Sequence, residues 1–131
     1  MEYFRYTRSL AVVAFVQGAY YLLTSLWPLV HLESFMWVTG PKVDTWLVKT
    51  VGILIGVIGA VVLSARWHRR ISPEVYGLAV GSALGLTGID VYYVVVGRIS
   101  GVYLLDALAE VLLVGGWLLA WRAAHQATRR Q

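Results

Sequence analysis

The chain has 131 residues, of which 59% are apolar and 14% are charged. Soluble domains average about 25% charged residues, so disorder and a water-soluble globule are both excluded. The formal net charge of +4 would suggest nucleic acid in a soluble protein. Here the basic residues sit at the ends of apolar stretches, so membrane topology explains them and no nucleic-acid partner is expected.

Four apolar stretches occupy residues 10–30, 46–65, 75–96 and 102–121. Each is long enough to cross a bilayer core, which takes about 20 residues. They predict an all-α fold: an integral membrane four-helix up-down bundle, with residues 1–131 forming a single transmembrane domain.

Arg5 and Arg8 precede the first stretch. Its length exceeds the ~7–15 apolar residues of a signal peptide, and no small-residue cleavage site follows, so a retained membrane helix is expected. Gln17, Tyr20, Tyr21 and Thr24 share one helical face and bring hydrogen-bond donors into the span. The long connection 31–45 holds an apolar run, Phe35-Met36-Trp37-Val38, and then a turn signal, Thr39-Gly40-Pro41-Lys42. The run is too short to span; an interfacial anchor and a lid over the helices both suit it.

The second stretch carries Lys49 near its start and small residues Gly52, Gly56 and Ala60 four apart. Small residues at that spacing let helix backbones approach closely in lipid. The following connection carries Arg66-Trp67-His68-Arg69-Arg70 and Pro73. That cluster fits a cytoplasmic loop, with anionic lipid headgroups as a second reading. The third stretch has Gly77, Gly81 and Gly85 in one row, with Gly88 close behind. On its other face lie Ala83, Thr87, Asp90 and Val94. After a tight connection around Gly97-Arg98-Ile99-Ser100, the fourth stretch places Tyr103, Asp106 and Glu110 on one face.

Orientation follows from the basic residues. Arg5, Arg8, Arg66, Arg69, Arg70, Arg122, Arg129 and Arg130 fall on one side, against Lys42 and Arg98 on the other. Both termini are therefore expected in the cytoplasm, with the protein in the cell's inner (cytoplasmic) membrane as a multi-pass chain. Tryptophans agree with this frame: Trp27, Trp37 and Trp46 fall near the outer boundary, and Trp67, Trp117 and Trp121 near the inner one. Trp117 also suits ordinary packing.

Intramembrane charges are costly, about 2.5–3.5 kcal/mol at a helix centre on insertion scales, and mark functional positions. Lys49, Asp90, Asp106 and Glu110 are the four here. At 1.5 Å per residue they lie roughly 5–12 Å inside the outer boundary, although three different helices supply them. A polar chamber in the outer half accounts for this, with Gln17, Tyr21 and Tyr103 contributing hydrogen-bonding groups. Three acids against one lysine suit the holding of protons or the acceptance of a cation. The plainer reading is a structural tie, in which Lys49 pairs with one carboxylate.

His31, His68 and His125 lie in separate segments, so no metal site is expected. No cofactor signature or nucleophile accompanies the acids, and the chain has no cysteine to supply one. An enzyme is therefore only the third reading, in which the acids would act as a general acid/base pair.

Residues 38–52 (Val38-Thr39-Gly40-Pro41-Lys42 through Lys49-Thr50-Val51-Gly52), with Gly97-Arg98-Ile99-Ser100 and Tyr103-Leu104-Leu105-Asp106, carry a resemblance. The chain resembles small uncharacterised prokaryotic four-helix membrane proteins, broadly the DoxX-like group. The resemblance implies four transmembrane helices and carries over no functional residue. The size is also similar to that of small multidrug resistance exporters, but those depend on an acid in the middle of helix one, where this chain has Gln17. By site chemistry alone, a carboxylate pocket in an apolar bundle is analogous to the sterol-isomerase and sigma-2-like fold. The expected function is binding of a small cationic or amphiphilic ligand, or proton relay. The alternative is an accessory subunit of a homo-oligomer or larger membrane complex, packed through the glycine row. Membrane lipid is a partner in either case.

Overall fold

The computed structural model describes residues 6–130, so Arg5, counted above toward orientation, lies outside the described residues. Five helices make up the fold: α1 (Arg8–Val30), α2 (Leu32–Thr39), α3 (Thr45–Trp67), α4 (Pro73–Val95) and α5 (Tyr103–Arg129). All but α2 are long and apolar enough to cross a membrane. Two differences from the sequence expectation stand out. The connection 31–45 contains a helix, and the last helix runs past residue 121 to Arg129.

Local chemistry sets the helix ends. The Thr7 hydroxyl accepts the Leu10 N–H at 3.3 Å, capping α1. Ser72 does the same for Val75 at 3.2 Å, and Pro73 follows in the first turn, where its missing N–H costs nothing. His31 joins α1 to α2. Its own N–H reaches the Trp27 carbonyl at 2.9 Å, and its Nδ1 accepts the Ser34 N–H at 3.2 Å. Buried Pro28 lies inside α1 and cannot donate to the Thr24 carbonyl. At the end of α3, Arg70 N–H bonds the Ala65 carbonyl at 2.9 Å and Arg69 N–H that of Arg66 at 3.1 Å. This is a Schellman closure, and its left-handed position (φ 56°) is held by Arg69 instead of the usual glycine.

The bundle is built from two helix pairs, α1 with α3 and α4 with α5. α1 also meets α5, while the contact between α3 and α4 is slight. Small residues make the first pair close. A Cβ on Gly59 would stand 2.9 Å from both the Gly18 carbonyl oxygen and Tyr21 Cβ, and one on Gly56 would stand 2.9 Å from Ser25 Oγ. Gly52 approaches the Ser25 carbonyl oxygen in the same way. The close approach expected at Gly52 and Gly56 is therefore made, with Gly59 completing the row and exposed Ala60 outside it. The row Gly77, Gly81, Gly85 on α4 meets no neighbour in this chain: a Cβ at any of the three has nothing within 4 Å.

One end of the bundle is solidly filled. Leu10, Val13, Ala14, Val62, Ile71, Ala79, Trp117, Ala120 and Ala124 form the core, with Trp121 and Tyr76 packed against it. Those two rings stack at 4.2 Å. Trp117 is fully buried, so it packs and does not sit at an interface. Outward faces of all four long helices expose Leu23, Leu54, Leu84, Leu119 and similar residues. An apolar surface that extensive suits hydrocarbon as its solvent.

Candidate functional site

The other end of the bundle is hollow. A cavity of about 480 Å³ lies among α1, α3, α4 and α5, beneath α2. Its polar side is carried by α1, α4 and α5. Asp90, Asp106 and Glu110 all line it, as do Tyr20, Tyr21, Thr24 and Tyr103. The opposite wall is apolar, with Val48, Val51 and Ile55 of α3 facing Leu86 and Ile89 of α4.

Each acid is held differently. Glu110 is 1% exposed and its Oε2 accepts the Tyr21 hydroxyl at 2.8 Å. Asp106 is half-buried and its Oδ1 accepts the Tyr20 hydroxyl. Asp90 is 5% exposed, and its Oδ2 has no hydrogen-bond partner among the described residues. Buried polar atoms are nearly always satisfied, so the orphan oxygen of a residue that lines the cavity signals a missing contact.

The sequence placed Lys49 on this wall, and that placement is corrected. Lys49 is exposed, is absent from the cavity lining, and has no ion pair among the described residues. It lies one turn into α3, off the face defined by Gly52, Gly59 and Val62. Its long stem can carry the ammonium out to the headgroups. The cation at the cavity is Lys42. Its Nζ donates to the carbonyls of Thr39 and Gly40 at 3.2 and 3.3 Å, at the negative end of α2. The same ammonium stands 5.2 Å from the centre of the Tyr103 ring. Lys42 is thus engaged at the cover, and no ion pair with any of the three acids is present among the described residues.

Gln17 is likewise corrected. It does not line the cavity. Fully buried, it donates through Nε2 to the Ala79 carbonyl at 2.9 Å, and its Oε1 accepts the Trp117 indole N–H. Its amide ties α1 to α4 and α5, with one bond from each end. The expected Asp90, Asp106, Glu110, Tyr103 and Tyr21 do converge. Tyr20 and Thr24, on the same α1 face, join them.

Within residues 31–45, α2 presents two different faces. Phe35, Val38 and Thr39 look onto the cavity, one turn apart, and Phe35 meets Trp27 edge-on at 5.4 Å. Trp37, on the other face, is 73% exposed. The helix covers the cavity and offers an indole outward.

No protein-family model, curated protein or solved structure matches the chain.

Proposed function

We propose that this is a multi-pass protein of the prokaryotic cytoplasmic membrane, akin to the DoxX-like group. In this reading the helices run up and down, both termini are cytoplasmic, and the cavity binds a small amphiphilic organic cation. The observation that carries the reading is the Asp90 carboxylate. It is buried, one oxygen lacks any partner, and it faces a cavity of about 480 Å³ shared with two more acids. A ligand cation beside that oxygen would offset the clustered negative charge. The apolar α3–α4 wall supports a ligand with a hydrocarbon body. Among the described residues no group of three or more His, Asp or Glu is arranged to hold a metal ion, which favours an organic cation. Without a cation, the same acids suit proton relay.

Tetraphenylphosphonium, a lipophilic organic cation, is a direct probe. Purified protein in nanodiscs should bind it saturably, and Asp90→Asn should weaken binding about tenfold, the effect of a contact worth ~1.4 kcal/mol. Binding indistinguishable from empty nanodiscs would overturn the reading.

A second reading keeps its place on one observation, the unfilled Gly77–Gly81–Gly85 row. A helix from another subunit would fit there, making the chain an accessory component of a larger membrane assembly.

A further inference from the structure

A second hollow, of about 450 Å³, lies at the end of the bundle far from the acids, between the start of α1 and the end of α3. Arg8, Arg66 and Arg69 line it, together with Tyr6, Thr7 and Trp67. The tendency of basic residues to stay on one side of a membrane explains why arginines collect at this end. It does not explain why three of them, from two segments distant in sequence, converge on one hollow.

Two of the three are deliberately placed. Arg66 is anchored through Nε, which donates to the Ala11 carbonyl at 3.1 Å, and its guanidinium lies 5.1 Å from the Phe15 ring centre. Its remaining N–H groups make no hydrogen bond among the described residues. The Tyr6 hydroxyl donates to the Arg66 carbonyl at 3.2 Å and closes the rim. Arg69 occupies the left-handed position of the Schellman closure, φ 56°, where an L side chain is strained and glycine is the usual solution. An arginine there has its side chain kept at the cost of backbone comfort. None of Arg8, Arg66 and Arg69 has a carboxylate partner among the described residues. Trp67 beside them is 82% exposed, at the helix end where an indole favours the headgroup layer.

We infer that this hollow binds a phosphate group, held by the guanidinium groups of Arg8, Arg66 and Arg69. Guanidinium matches phosphate oxygens in paired hydrogen bonds, which an ammonium cannot do. Its chemistry fits the phosphodiester of an anionic lipid headgroup or a free phosphate.

Arg69→Gly separates binding from folding, because glycine relieves the strained backbone while removing the guanidinium. The purified full chain would be loaded with phosphatidylglycerol or phosphatidylcholine and examined by native mass spectrometry. Thermal unfolding would be followed with and without inorganic phosphate. Wild type should retain phosphatidylglycerol over phosphatidylcholine. Arg69→Gly should melt at the same or a higher temperature yet retain phosphatidylglycerol about tenfold less, as expected for one lost charge-assisted contact. Stabilisation by inorganic phosphate that is lost in Arg69→Gly, without lipid selectivity, would support the site and assign it to free phosphate. Equal retention of both lipids with no effect of phosphate would overturn the inference, as would phosphatidylglycerol retention unchanged in Arg69→Gly.

Discussion

Tyr21 decides how Glu110 is buried. The phenol has no exposed surface, and its hydroxyl donates to Glu110 Oε2 at 2.8 Å. Glutamine at 110 still offers an acceptor to that hydroxyl, whereas leucine leaves it only the long 3.5 Å contact with Ser82 Oγ. Glu110→Gln should therefore keep the wild-type melting temperature, while Glu110→Leu should cost about 1–3 kcal/mol, the penalty of an unsatisfied buried donor. Thermal unfolding in detergent checks both. If the site also binds a cation, Glu110→Gln should weaken tetraphenylphosphonium binding despite intact stability. At this scale the sequence was legible where period applies. Tyr103, Asp106 and Glu110 share a face by spacing alone, and they share it in the fold. Lysines were less legible. Depth alone put Lys49 among the acids, but depth does not say which way a residue near a helix start points. Lys42 lies in a turn with no period to place it, and its position depends on α2 supplying carbonyls. Gln17 has the spacing of its tyrosine neighbours, yet a bond to Trp117, a hundred positions away, claims it.

Glycine rows of similar appearance have different fates in α3 and α4. Around Gly59 the backbone of α1 leaves no room, since a Cβ there would stand 2.9 Å from the Gly18 carbonyl oxygen. Around Gly81 there is open space. Gly59→Leu should destabilise the bundle by about 1–3 kcal/mol or more, as overpacking does. Gly81→Leu should change stability by less than about 0.5 kcal/mol, in line with exposed positions. Paired measurements of unfolding and of particle size in detergent test this. A Gly81→Leu protein of unchanged stability but smaller particle size would place the α4 row at a subunit contact. Spacing shows that a glycine row invites a helix; only the packed chain shows whether one comes. Helix ends were partly legible too. Hydropathy falls after residue 121, so the apolar signal stops there, but buried Ala124 still packs on the core and carries α5 to Arg129. α2 escaped detection because eight residues hold barely two turns, too few for periodicity to stand out.

For the whole molecule, the arrangement in the membrane is open to direct test in a chain without cysteine. Glu33 and Glu74 are exposed residues near opposite ends of the bundle, whereas Ser34 and Ser72 nearby serve as hydrogen-bond partners or caps. With both termini cytoplasmic, a membrane-impermeant thiol reagent on intact cells should label Glu33→Cys and spare Glu74→Cys. The opposite pattern would invert the orientation. The general architecture was the most legible feature of all, because four runs of lipid-crossing length leave the chain few other choices.

Space between the helices is unevenly distributed: at one end Trp117 and its neighbours fill the interior and the arginine-lined hollow lies outside that core, whereas the other end holds a cavity of about 480 Å³. Such a body is stiff at one end and compressible at the other, since close-packed interiors yield little to pressure and voids yield first. Lateral squeezing by tightly packed lipid acts on the weak α3–α4 seam beside the hollow. If the proposed cation lodges there it resists that squeezing, and lipid packing and occupancy would then be thermodynamically linked. Looser bilayers would favour filling and tighter ones emptying, so the state of the membrane would become an input to the site without touching a single polar group.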